Sequence, residues 1–123
     1  MILGVGVDVV HVRRIIRWLE IPGLPERFFH PEELATALSR GGSAALSLAA
    51  RFAAKEALGK AFGTGLRAMA LKDICVYNSH NGRPSIKLYG SAKKKYDELY
   101  CKAIHLSLTH ESDNAIALVV LEG

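Results

Sequence analysis

Between Ile2 and Val10 the chain alternates, with Leu3, Val5, Val7 and Val9 on one face and Gly4, Gly6 and Asp8 on the other. A period of two in a short β-branched run predicts a strand. Its apolar face is expected to join a core. Its glycine face is expected to let something approach closely, with Asp8 as the only charge there. From His11 to Leu19 the period changes. Val12, Ile15, Ile16 and Leu19 recur at helical spacing, and Arg13, Arg14 and Arg17 fall mostly on the outer side. Pro22, Gly23 and Pro25 then break the chain. His30, Pro31, Glu32 and Glu33 open a short helix to about Leu38, with proline at the first helical position and acids in the first turn.

Gly41 to Ser43 reads as a loop, with Ser43 as the expected cap of an alanine-rich helix running to about Phe62. Gly63, Thr64 and Gly65 stop that helix. Lys72 to Asn78 predicts a strand, Asn81-Gly82 a tight turn, and Pro84 to Tyr89 the returning strand, where Pro84 suits a strand start or an edge. Ser91 to Cys101 reads as a charged surface helix. Ala103 to Glu111 alternates again, with His105, Ser107, Thr109 and Glu111 opposite Ile104, Leu106 and Leu108. Ala115 to Leu121 is apolar on both faces, as in a central strand. Hairpin-like pairs between helices predict an α+β fold, a largely antiparallel sheet packed against the long alanine-rich helix. The length of 123 residues and the absence of repeats or linkers predict a single domain over residues 1–123.

Composition narrows the picture. A hydrophobic fraction of 50% is enough to fill a core and cover an oligomer interface. Sixteen Lys and Arg against twelve Asp and Glu give a formal charge of +4, a mild bias that suits an anionic ligand or partner without choosing one. A nucleic-acid module would interleave aromatics with a basic stripe. Here aromatics are only 7% and the basic residues cluster near acids, so that class is disfavoured. Cys75 and Cys101 stand in neither a CxxC pair nor a metal-ligand spacing, which reads as two packing thiols in a reducing cytosol. No basic leader precedes Asp8 and no apolar stretch approaches the ~20 residues of a membrane span. The expectation is a cytoplasmic protein with no membrane partner.

The long helix carries the candidate chemistry. Glu56 and Lys60 lie one turn apart, as do Arg51 and Lys55 on a neighbouring stripe. On spacing alone these are solvated charges on a helix surface, contributing little. However, Ala49, Ala50, Ala53, Ala54, Ala57, Gly59 and Ala61 crowd the same helix. A helix this small in cross-section can pack tightly, and its charges then line a cleft.

Four segments occur in an order that resembles the holo-acyl carrier protein synthases, the small 4′-phosphopantetheinyl transferases. They are Gly4 to Val10 (GVGVDVV), Arg51 to Gly65 (RFAAKEALGKAFGTG), Asn81 to Pro84 (NGRP) and His105 to Glu111 (HLSLTHE). The run from Arg51 to Gly65 is the specific part, and the resemblance covers essentially the whole chain. It implies transfer of the phosphopantetheine arm of coenzyme A to a serine of an acyl carrier protein, with 3′,5′-ADP as the product. Asp8 and Glu56 correspond to an acidic pair that binds Mg2+ beside the pyrophosphate. Such a role suits an ion that takes one or two carboxylates plus phosphate oxygens. Lys60 resembles a lysine that steadies the leaving phosphate. Glu56, Lys60 and Asp8 are thus the expected catalytic set, and the proton acceptor is left between Glu56 and a metal-bound water. Arg51, His105, Thr109 and the turn Gly63, Thr64 and Gly65 are expected around the cofactor's nucleotide end and phosphates. His110 is read as structural. Arg13, Arg14, Arg17 and Arg27 look like a docking surface for the acidic carrier, and the resemblance implies a homotrimer with sites between subunits. His11 and Cys75 depart from the pattern, standing where the family often has acids. A different Mg2+-dependent phosphotransferase is the competing reading.

Overall fold

The structure is a computed structural model that describes residues 1–67 and 69–123. Among the described residues, five strands and five α-helices follow in the order β1 (Ile2–His11), α1 (Val12–Leu19), α2 (Pro25–Phe28), α3 (Pro31–Leu38), α4 (Ala44–Phe62), β2 (Ile74–Asn78), β3 (Pro84–Leu88), α5 (Gly90–Glu98), β4 (Ala103–Glu111) and β5 (Asn114–Glu122). The strands form two antiparallel sheets, β1-β5-β4 and the β2-β3 hairpin. The α+β class, the long helix and the central place of β5 are as the sequence implies. Two local readings shift. The strand expected from Lys72 begins at Ile74, because Leu71–Asp73 close a 3₁₀ turn. The break after Leu19 contains a short helix, α2, that the prolines concealed. Among the described residues, no helix is long and apolar enough to cross a membrane.

Helix α4 is the axis of the fold. It packs on β1 and β5, and α1, α3 and β2 close its other sides. Its small side chains make this enclosure possible. Ala49, Ala53, Ala54, Ala57 and Leu58 have no exposed surface. At its start Ser43 occupies the cap position without a side-chain bond to the helix. At its end Gly63 takes φ 83°, a left-handed stop. Beside Phe52 on α4, an aromatic cluster of Trp18, Phe28 and Phe29 anchors α1 and α2, with ring centroids 4.8–6.3 Å apart.

The structure reverses the expected facing of β1. Its glycine face lies against α4. A Cβ at Gly6 would sit 1.9 Å from the Ala57 carbonyl oxygen, and one at Gly4 would sit 1.9 Å from that of Ala61. The close approach foreseen at the glycines is therefore made by the protein's own helix. The apolar face is left uncovered instead, with Val5, Val7 and Val9 each 54% exposed and Leu118 of β5 41% exposed. In α1, likewise, Ile15 is fully buried while Ile16 and Leu19 are exposed, because Trp18 takes the inward position beside Phe52. Gly6→Ala is expected to destabilise the fold by about 1–3 kcal/mol, since either β1 or α4 must shift to admit the methyl group. A thermal melt unchanged from that of the unmodified chain would contradict this packing.

Candidate functional site

The glycine face of β1 continues to Asp8, which is thereby delivered to the flank of α4 that carries Glu56 and Lys60. Lys60 Nζ donates to Asp8 Oδ1 at 2.8 Å and to the Val7 carbonyl at 3.0 Å. Glu56 lies close enough for the Asp8 charge to raise its pKa, second in effect only to Glu56's own burial, with Arg14 and Lys60 opposing. The Asp8 hydrogen bond and charge hold the Lys60 pKa above its ordinary value, so this lysine is cationic. The i,i+4 reading of Glu56 with Lys60 gives way to these longer-range partners. Lys60 pairs with Asp8, and Glu56 faces Arg14, whose Nη1 lies 3.6 Å from Glu56 Oε1.

Two acids and one lysine thus converge from a strand and a helix. Glu56 Oε1 is buried and has no hydrogen-bond partner among the described residues. The two neighbouring carboxylates, balanced here by Arg14 and Lys60, offer the oxygen donors that a hard divalent cation takes. The residues therefore suit the Mg2+ that the motif implies.

Arg51 is buried to 4% exposure and does not point to this cluster. It stands five positions before Glu56, which turns it by about 140° around the helix. Its guanidinium donates to Ser47 Oγ at 2.6 Å and to Asn78 Oδ1 at 3.4 Å, while its Nε lacks a partner. A hollow of about 500 Å³ opens beside it, lined by Arg40, Ser47, Asn78, Thr109 and His110 among others. Thr109 stands beside Arg51, and Arg40, Asn78 and His110, to which the sequence assigned no cofactor role, line the same hollow.

His105 belongs to neither group. It lies on the uncovered face of the sheet, where it hydrogen-bonds Glu122 across the strands at 2.8 Å and borders a small depression with Arg83 and Ser107. Gly63, Thr64 and Gly65 follow directly on the Lys60 turn. Gly65 folds back to donate its amide to the Gly59 carbonyl at 2.9 Å, and a Cβ on Gly59 would meet the Gly65 carbonyl carbon at 2.7 Å. Small residues here serve the turn's own closure. Arg13, Arg14 and Arg17 line a hollow of about 310 Å³ together with His11. This places His11 in the basic patch. Arg27, on α2, is exposed but does not line that hollow. Arg14 is the link between patch and acids, since its guanidinium also lies over the Trp18 and Phe52 rings at 5.0 and 5.1 Å.

The remaining charge of the motif, Lys55, is fully buried. It donates to Glu33 Oε1 at 2.6 Å and to the Leu71 and Ile74 carbonyls at 2.8 and 2.5 Å. Glu33 in turn accepts from the His30 and Val76 amides. This pair ties α3, α4 and β2 together and is structural.

The chain is similar to known proteins along its whole length. The family model described as the 4′-phosphopantetheinyl transferase superfamily matches residues 4–119. A holo-[acyl-carrier-protein] synthase from Treponema denticola is 54% identical over 123 residues, the whole of both chains. The crystal structure of the synthase from Neisseria meningitidis superposes with a TM-score of 0.89 at 36% identity, covering all of both chains. That from Bacillus anthracis, in complex with CoA (3′,5′-ADP), gives 0.83 at 35% identity over 99% of this chain and 97% of that one. With two acids and a lysine meeting where β1 crosses α4, and full-length similarity of this degree, the chain belongs to the 4′-phosphopantetheinyl transferase superfamily, among the holo-[acyl-carrier-protein] synthases.

Proposed function

We propose that this transferase moves 4′-phosphopantetheine from coenzyme A to a serine hydroxyl of an apo-acyl carrier protein, with Mg2+ held by Asp8 and Glu56. The single observation that carries the reading is the meeting of Asp8, Glu56 and Lys60, drawn from positions about fifty residues apart. When bound, Mg2+ supplies positive charge that polarises the pyrophosphate and offsets charge on the leaving oxygen. Asp8 and Glu56 orient that charge. Lys60, half-exposed and tethered to Asp8 at 2.8 Å, is placed to add a second cation at the leaving 3′,5′-ADP. The reaction then depends on positioning and electrostatics, with no covalent step on the protein. The coenzyme A complex of the Bacillus anthracis relative supports the donor. The test is mass spectrometry of an apo carrier protein incubated with coenzyme A and Mg2+. A gain of one phosphopantetheine that requires Mg2+ supports the reading, and no gain with several acidic carriers overturns it.

The Arg51 hollow, with Arg40, Asn78, Thr109 and His110, suits the phosphates and nucleotide end of coenzyme A. It faces away from Asp8 within one chain. The uncovered sheet face of Val5, Val7, Val9 and Leu118 is suited to a second copy of this chain, and a trimer that joins one copy's hollow to another's acids would complete the site. Leu118→Asp should therefore yield monomers by light scattering and lose most transfer activity. An unmodified chain that is already monomeric and active would remove the trimer.

The patch of Arg13, Arg14, Arg17 and His11 is complementary to an acidic carrier, and Arg27 extends its charge. Because Arg14 also faces Glu56, Arg13 and Arg17 give the cleaner experiment. Arg13→Glu with Arg17→Glu is expected to raise the KM for the carrier roughly tenfold at low salt, with coenzyme A binding intact. The effect should shrink as salt screens it. An unchanged KM at low salt would place docking elsewhere. This reading puts the protein in the cytoplasm, where coenzyme A and carrier proteins meet.

A further inference from the structure

A second cluster of ligand atoms lies at the start of α3, on the side of α4 that carries Lys55. One ligand atom each of His30, Glu32 and Cys75 lies within 4.8 Å of the other two. The three come from the cap of α3, its first turn and the middle of β2. What brings them together is the Glu33–Lys55 pair, since Glu33 Oε2 accepts the Val76 amide at 3.0 Å and so fastens the start of α3 to β2 beside Cys75. We propose that His30, Glu32 and Cys75 form a binding site for a zinc-class transition-metal ion, distinct from the Asp8–Glu56 site and independent of the proposed transferase function.

The donor set decides the ion. A thiolate, an imidazole and a carboxylate are the ligands of Zn2+ and its neighbours, whereas Mg2+ prefers oxygen alone. Zinc bond lengths imply ligand–ligand edges of roughly 3.3–3.8 Å, so closing the cluster asks for movements of about 1 Å. Glu32 is exposed and His30 half-buried, so both can move, while Cys75 is 1% exposed and stays fixed on its strand. Three protein ligands leave one position of a tetrahedron for water. Burial first, and then the charges of Glu33 and Glu32, push the Cys75 thiol up to about 11, so an ion must displace its proton. Binding forms the metal–sulfur bond and releases that proton to solvent.

One contact competes. His30 Nδ1 accepts the Glu32 amide at 3.1 Å as the cap of α3, and a neutral imidazole has one lone pair to offer. The ion and the cap therefore contend for the same ring, which makes the site reversible and weaker than a closed structural zinc site. The Glu33 carboxylate still accepts the His30 amide at 2.9 Å, so the turn holds when the ring moves.

Cobalt(II) titration of the full chain, with a non-thiol reductant and excess Mg2+, tests this. The expected result is a near-ultraviolet sulfur-to-cobalt charge-transfer band that saturates at one ion per chain and is displaced by Zn2+. Cys75→Ser should abolish the band. His30→Asn keeps a good capping residue while removing the imidazole, and with Glu32→Gln it should weaken binding by roughly tenfold or more. Cys101→Ser and Glu56→Gln should leave the band unchanged, which separates this site from the other thiol and from the proposed Mg2+ site. The proposal is overturned if no band appears, if the band follows Cys101, or if His30→Asn with Glu32→Gln binds cobalt as tightly as the unmodified chain.

Discussion

Glu56→Gln is expected to lower kcat/KM for carrier modification by about 10²–10³-fold, in the range seen when one charge-stabilising group is removed from a preorganised site. The substitution keeps the side chain's shape and removes its charge, and Asp8 alone is then left to hold the cation. The stability of the same variant should move the other way. The Glu56 pKa is raised in the folded state, by burial and by Asp8, so folding favours its protonated form. A raised carboxylate contributes stability that is present below the unfolded pKa and is lost as pH rises through the folded pKa. In metal-free buffer the thermal midpoint of Glu56→Gln should therefore equal or exceed that of the unmodified chain, with the difference widening as pH rises from about 4 until Glu56 is fully ionised. A variant that loses activity and also melts earlier at neutral pH would mean that Glu56 supports the fold through Arg14 and is not held ready for a cation.

The second large effect concerns stability alone. Glu33→Ala should cost roughly 3–5 kcal/mol, because it strands the buried Lys55 ammonium without its counter-charge. It also removes the acceptor of the His30 and Val76 amides. Lys55 keeps only the Leu71 and Ile74 carbonyls, both neutral. Adding Lys55→Met to Glu33→Ala should recover part of the loss, since an apolar chain of similar length needs no partner there. Chemical denaturation midpoints check both variants. A Glu33→Ala chain within 1 kcal/mol of the unmodified one would mean that water reaches Lys55 and the pair is not buried in solution.

These two carboxylates show how differently a sequence reveals its charges. Glu56 was legible because it stands in a motif with a known chemical setting, beside Lys60 and ahead of a glycine stop. Glu33 was read only as an early helical acid, and Lys55 as one half of a surface pair with Arg51. Helical spacing fixes which residues share a stripe, but it does not say which stripe another element covers. Around α4 nearly every stripe is covered, since its alanines let β1, β5, α1, α3 and β2 approach from all sides. The same gap explains His105 and His110. Alternation separates them onto opposite sides of β4, but Thr109, on the His105 side, also lines the Arg51 hollow, so alternation alone did not say which residues border it.

The order of elements, the antiparallel hairpins and the limits of α4 were written in local pattern, because period, caps and turn residues act over a few positions each. Which face of β1 meets the core was decided only by the fold. Alternation predicts two unlike faces, and valine would ordinarily be the inner one. Here Gly4 and Gly6 let two backbones come closer than any side chain permits, so the glycine side turned inward and carried Asp8 to Glu56 and Lys60. The valines were left facing outward, and the Cys75 thiol came close to an imidazole and a carboxylate that lie more than forty residues earlier in the chain.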